Sequence, residues 1–424
     1  MKTEETNSPE FLIWEERFKR QLTTTLAANS LGPFRLAADS ADGADPFLPV
    51  INVEFMLYVA DTSLFRVGHV IMIQGLQIGN NTLSLTMRCV VTAVSAATKL
   101  KVRPISLPAG ISTGFANGNL ENLGLNVQAI GTSFAQGVVN MSGEVFYLPD
   151  RFINYTQIFR TPFSFSRNAL MTPTKFDETG MYREKSKQHS LYHMVEMERA
   201  FLWGERANYV KSQGSPTDST TGVNLPEYKT GGILGWYLPQ WEIADSAYRG
   251  GSGAAALTLD SEDDKRIITN SGGVMNESTF DDYLERIFRK TNNVTNERLA
   301  VCGSGALKTL NKMYRALGTM PYKVPGQDSF GMRIVSHECP FGTVYYKTHP
   351  LFSEDLGQLW SSLLFLDVHN LRYRPFQKSD TFLRKQIQTP SMDGRMDEWM
   401  TEAGLELKFP ESFTWMQNML SYVS

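Results

Sequence analysis

Disulfides are the first device this chain lacks: Cys89, Cys302 and Cys339 stand isolated among 424 residues, with no C-x-x-C pair. So odd and sparse a set gives neither a disulfide framework nor a zinc knuckle, and it suits a reducing compartment. Long hydrophobic runs are missing as well. No segment reaches the roughly 18 apolar residues of a membrane-spanning helix, and the opening MKTEETNSPEF has no apolar core of signal-peptide type. The expectation is a soluble chain with no membrane partner that stays in the cytoplasm during synthesis. An excess of one charge is absent too: 41 basic and 44 acidic residues leave a formal charge of −3, with no long block of either sign. A specific nucleic-acid reader would carry a basic stripe, and this chain has none. Internal repeats and low-complexity tracts are also lacking.

Core material is present in ordinary measure. Hydrophobic residues make up 42% and charged residues 20%, enough apolar content to bury a core without staples. The length exceeds what one core serves, so two to four structural units are expected. The 33 glycines, with many Ser, Thr and Asn residues, point to a turn-rich, strand-rich chain. Arg183 to Val210 is the exception, the longest run of helical character, and as a helix it would be roughly 40 Å long. Leu191, Met194, Val195, Phe201 and Leu202 recur at helical spacing, so this stripe is predicted to be buried. Lys185, Lys187, Glu196, Arg199, Glu205 and Arg206 would cover much of the remaining surface.

Along the chain, Ser8 to Ala28 reads as a short amphipathic helix with Pro9 at its first position, carrying Phe11, Leu12, Trp14, Phe18 and Leu22. From about Asp61 to Leu148, short strands alternate with Gly and Asn turns, as in Leu83, Leu85, Met87 and Cys89, and predict a small β module. Arg151 to Leu170 is extended and aromatic on both faces, without a hairpin partner nearby, so it is expected to pair with a partner. Gly231 to Pro350 reads as mixed α/β, with a helix opened by Ser278 and a strand, Gly-rich turn and helix over Glu297 to Leu317. The remainder reads as strands.

Four constellations could carry chemistry. His189 and His193 are four apart with Glu196 a turn further, so two imidazoles and a carboxylate could converge on a metal. The motif is not H-E-x-x-H, because Ser190 stands where the general base should be. Cys302-Gly303-Ser304-Gly305 lies between a strand and a helix, but a nucleophile elbow needs Gly at the Cys302 position, and the spacing of a phosphate-binding loop fails too. Asp393, Asp397 and Glu398 do not follow a calcium loop and read as a solvated turn. Trp236, Tyr237 and Trp241 could stack a sugar or a base, with a buried aromatic cluster as the default. No catalytic residue, metal ligand or cofactor site is assigned from these.

Asn154-Tyr155-Thr156-Gln157-Ile158-Phe159, leading into a long helix that ends in W-G-E-R-A-N, resembles the major capsid proteins of tailed bacteriophages with the Hong Kong 97-like fold. The closing series is similar in order to the same subgroup's last strands, from LFLDVHNLRYRPF through TFLRKQIQT to EAGLELKF. The resemblance covers most of the chain from about Asp61. It implies an α+β fold with an N-terminal arm (1–33), an extended loop (34–182) holding an inserted β module (about 58–148), and a peripheral domain with a spine helix (183–230, completed by 351–424). An axial domain (231–350) would complete the subunit. It further implies no catalysis and no cofactor, and self-assembly through pentamers and hexamers into an icosahedral head around double-stranded DNA. The location would be the virion, and decoration, portal and scaffolding proteins would be partners. Phe152, Tyr155, Ile158, Phe159, Phe163, Phe165, Trp14 and Phe18 are then the expected inter-subunit contacts. The rival expectations are a metal-dependent hydrolase using His189, His193 and Glu196, and a carbohydrate-binding decoration or tail protein built on Trp236 and Trp241.

Overall fold

A computed structural model describes residues 2–15, 23–26, 34–36, 50–63, 65–78, 81–107, 125–134, 136, 149–171, 181–209, 226–239, 266–289, 296–316, 335–353 and 359–422. The chain divides into two compact units, one formed by residues 16–149 and the other by residues 1–15 with 150–424. In order, the strands begin with β1 (Lys2–Thr3), β2 (Glu10–Glu15), β3 (Thr23–Thr25), β4 (Phe34–Leu36), β5 (Phe55–Tyr58), β6 (His69–Ile78), β7 (Asn81–Ala96), β8 (Lys99–Ser106) and β9 (Asn126–Thr132). Then come β10 (Asp150–Tyr155), β11 (Gln157–Ser166), helices α1 (Arg167–Met171) and α2 (Met181–Trp203), β12 (Ala207–Tyr209) and β13 (Glu227–Lys229). A third stretch holds β14 (Ile267–Thr269), β15 (Val274–Met275), α3 (Glu277–Arg289), β16 (Glu297–Cys302), α4 (Ser304–Ala316), β17 (Val335–Cys339), β18 (Gly342–Thr348) and α5 (Pro350–Ser353). The last is β19 (Leu363–Leu366), β20 (Leu371–Pro375), β21 (Phe382–Arg384), β22 (Gly394–Leu407), β23 (Thr414–Gln417) and β24 (Ser421–Tyr422). No described helix is long and apolar enough to cross a membrane.

Residues 16–149 form a seven-stranded antiparallel sheet in the order β3-β9-β6-β7-β8-β5-β4. Inward-facing alternate residues such as Ile71, Ile73, Met87, Cys89, Leu100 and Val102 make a core of their own. Strands at 23–25 and 34–36 belong to this sheet, so it begins well before residue 58.

In the other unit, a five-stranded sheet runs β1-β20-β22-β11 with β21 also on β22, and a six-stranded mixed sheet runs β14-β23-β19-β16-β18-β17. Alternate residues of β16 serve two cores: Ala300 and Cys302 pack with α3 and α4, while Val301 joins Phe11, Ile13, Phe152 and Leu405. Helix α3 is opened by Asn276, whose Oδ1 accepts from the Thr279 amide at 2.8 Å, two residues earlier than Ser278.

Four further expectations are corrected. Residues 10–15 form a strand, not part of a helix: Phe11 and Ile13 are buried while Leu12 and Trp14 are exposed, a period of two, and β10 supplies the ladder. The aromatic stretch 151–170 finds its partners inside the chain, β10 on β2 and β11 along ten residues of β22. Helix α2 ends at Trp203, not Val210, because the chain turns at Gly204, where a Cβ would lie 2.3 Å from the Ala200 carbonyl oxygen. Its buried face also differs from the predicted stripe. Leu191 and Met194 are 56% and 55% exposed, whereas His193 is fully buried. The helix lies on β11 and β22 through Tyr182, Ser186, His189 and His193, a stripe at steps of four, three and four.

Candidate assembly surface

His193 sits under α2 with both ring nitrogens engaged, Nδ1 2.9 Å from Thr161 Oγ1 of β11 and Nε2 2.8 Å from Thr401 Oγ1 of β22. Burial pushes its pKa down, and Glu196 draws it partly back. His189 stacks on Phe163, ring centroids 5.1 Å apart. The two imidazoles thus spend their faces and nitrogens on packing and hydrogen bonds, and among the described residues no cluster of three or more His, Cys, Asp or Glu is placed to hold a metal. The hydrolase expectation loses its ligands.

The acidic cluster is not a solvated turn. Asp393 is exposed, but Asp397 and Glu398 are buried on β22. Burial works to raise the Asp397 pKa, yet Arg395, the Tyr182 hydroxyl and the Gln386 amide together hold it below the usual value. Glu398 accepts from Arg160 Nη2 at 2.7 Å and from Arg384 Nη1 at 2.9 Å. Each carboxylate ties neighbouring elements to β22.

The turn Cys302-Gly303-Ser304-Gly305 is steric in origin. A Cβ on Gly303 would lie 2.3 Å from the Trp360 carbonyl oxygen, and one on Gly305 would lie 1.7 Å from the Trp360 ring. Burial pushes the Cys302 thiol up to about 12, far from a reactive thiolate. Trp236 and Tyr237 are buried edge to face, which withdraws Trp236 from stacking a sugar; Trp241 lies outside the described residues.

Asn154, which no chemical motif marked, is the hub of this region. Its Nδ2 donates to the Leu405 carbonyl at 2.7 Å and to the Tyr237 hydroxyl at 3.0 Å, and its Oδ1 accepts from the Gly231 amide at 2.8 Å. One side chain therefore joins β10, the turn before Ile233–Tyr237 and β22.

The structure divides the expected contact residues. Phe152, Phe159 and Phe163 are 1%, 2% and 5% exposed within the chain, so they are core residues. Tyr155 and Phe165 are half-buried, against Tyr228 and against Phe163 with Tyr182. Trp14 and Ile158 are exposed, and Phe18 lies outside the described residues. Apolar surface is uncovered elsewhere as well. A groove of about 540 Å³ runs beside α2, lined chiefly by Met194, Met197, Phe201, Leu371, Tyr373 and Leu405, with Glu198 and His349 paired at its margin 2.7 Å apart. Exposed Leu191 and Tyr192 lie on the same helix as Met194. Periodicity identified Leu191 and Met194 but placed them inside.

Residues 77–419 match the family model described as SU10 major capsid protein. No curated protein matches the sequence. Among solved structures, the chain is similar to the cyanophage A-1(L) capsid asymmetric unit, with 8% identity over 69% of this chain and 85% of that one and a TM-score of 0.42. It is similar to the capsid of a native GTA particle, with 13% identity, 68% and 80% coverage and a TM-score of 0.40. A third is the holo-SrpI encapsulin complex from Synechococcus elongatus PCC 7942, with 10% identity, 65% and 78% coverage and a TM-score of 0.40. The matched stretch spans both sides of the β10–α2 region and ends between β23 and β24. The chain belongs to the SU10 major capsid protein family.

Proposed function

We propose that this major capsid protein builds the icosahedral head of a tailed bacteriophage by packing its copies into pentamers and hexamers around double-stranded DNA. The observation that carries the reading is the uncovered apolar groove beside α2, with Met194, Leu191 and Tyr192 exposed at a place where a lone subunit gains nothing from them. Obligate interfaces are extensive and apolar, so a neighbouring copy is the natural cover. Trp14 and Ile158 are further contact candidates. On a Hong Kong 97-like plan, α2 is the spine of the peripheral domain and the stretch from β16 to β18 belongs to the axial domain. The near-neutral composition suits a wall that encloses DNA without gripping it. Decoration, portal and scaffolding proteins would meet the assembled wall, and synthesis and assembly would take place in the host cytoplasm.

Met194→Asp tests this. It should leave subunits soluble, folded and unchanged in melting within about 0.5 kcal/mol, while electron microscopy of the purified protein shows few or no closed particles. Normal particle yield would remove this face of α2 from the assembly.

A further inference from the structure

Copies that close into rings must meet through unlike surfaces, because a head-to-tail contact generates a ring whereas a self-complementary patch stops at a pair. The groove beside α2 is one such surface, and its chemistry limits what can fill it. Its walls are apolar, but the exposed carboxylate of Glu198 stands at the margin. His349 does not neutralise that charge. The Leu351 amide donates to His349 Nδ1 at 3.2 Å, and an amide hydrogen cannot be turned round. Nδ1 is therefore an acceptor, and the ring is the neutral Nε2–H form that donates to Glu198 at 2.7 Å. On α2 the positions three and four places from Glu198 are Val195, Phe201, Met194 and Leu202, without a basic residue. The groove fits a narrow apolar ridge with a cation at its side.

The ribbon of β2 and β10 is such a ridge. Leu12 and Trp14 point outward from it, 42% and 57% exposed, while Phe11 and Ile13 are buried on its other side. Arg151 is the direct cross-strand neighbour of Trp14 and is exposed with it. Tryptophan and arginine are the residues most enriched where binding energy concentrates. Ile158 and Phe382 also have arginines nearby, but they lie on the flat face of a three-stranded stretch, and Arg160 and Arg384 are both committed to the buried Glu398.

One chain does not bring its own ridge to its own groove. Phe11 of β2 packs against Gly404, where a Cβ would lie 2.7 Å from its ring, and beneath the Arg374 guanidinium at 5.9 Å. Tyr373 and Leu405, the adjacent residues of β20 and β22, point the other way and line the groove. Ridge and groove thus sit on opposite faces of the same two strands. We propose that Leu12 and Trp14 of one copy fill the α2 groove of the next, with Arg151 set against Glu198, and that this repeated head-to-tail contact closes the ring. The inference rests on the reading that a neighbouring copy covers the groove, and it adds which surface does so. The groove's volume of about 540 Å³ has room for an indole and a leucine side chain.

The test uses particles of the full chain grown with a photo-reactive methionine, co-assembled from unlabelled and nitrogen-15-labelled copies so that links between chains are told from links within one. After illumination, the peptide holding Met194 and Met197 should be joined to the peptide holding Leu12 and Trp14, between unlike copies, in particles and not in unassembled subunits. Links from Met194 and Met197 to other peptides, with none to residues 10–15, would overturn the pairing. Trp14→Ser should raise the subunit concentration needed for particles by about tenfold or more with melting unchanged, and an unmoved threshold would overturn it too. Should Met194→Asp stop assembly while the links run elsewhere, the groove stays an interface and only its occupant is wrong. Should Met194→Asp assemble normally, the reading beneath falls and takes this inference with it.

Discussion

Phe159 is aromatic, lies on an extended segment and is 2% exposed, with its ring edge to face against Phe201 of α2 at 6.0 Å. Its energy therefore belongs to the subunit and not to the contacts between subunits. Phe159→Ala should cost about 3–5 kcal/mol of subunit stability, read as a lower denaturant midpoint of isolated subunits. Unchanged melting with fewer particles would return Phe159 to an interface. The same logic reverses the standing of Leu191 and His193. Leu191 carries the greasier side chain but is exposed, while His193 is buried because two threonine hydroxyls can satisfy its nitrogens, which no residue count along the helix reveals.

At the scale of elements, β22 is the strand to which others are tied, by Asp397 to the start of α2 and by Glu398 to β11 and β21. Because the Asp397 pKa is lowered in the folded chain, the stability it contributes is present above the ordinary carboxylate range and is lost as pH falls through the folded value. Asp397→Asn should lower stability at neutral pH by about 1–3 kcal/mol and make melting less steep in acid below about pH 4. An acid profile as steep as before would show that the carboxylate does not set it. Much of this architecture was legible: the long helix, the alternation through Met87 and Cys89, the strand–turn–helix at Cys302 and the closing strands are all local patterns. The partners were not. β11 pairs with a strand more than 200 residues away, Gln157 opposite Ala403, and β2 needs β10 to be a strand at all. The helix face was misplaced for a related reason, since hydrophobic period finds the aliphatic side but not the polar groups that a sheet can satisfy. Asp397 and Glu398 looked solvated because their arginines lie at other positions of the chain or point back along the same strand.

For the whole molecule, the two units have separate cores, one centred on Ile71, Met87 and Val102 and the others on Leu405 and Phe365. Calorimetry of unassembled subunits should resolve more than one transition, and a single transition with equal calorimetric and van't Hoff enthalpies would show that the units melt together. The assembly role is read from the family, because apolar interface side chains carry no local motif. Glu15 and Asp150, the residues where the chain leaves and re-enters the larger unit, are direct cross-strand neighbours. Antiparallel neighbours of this kind are about 5 Å apart, a gap that a two-residue Asn-Gly turn spans. The 16–149 sheet is thus spliced in at a single hairpin tip. It is a cassette that could be removed, enlarged or exchanged while the ladder beneath it closes as an ordinary hairpin.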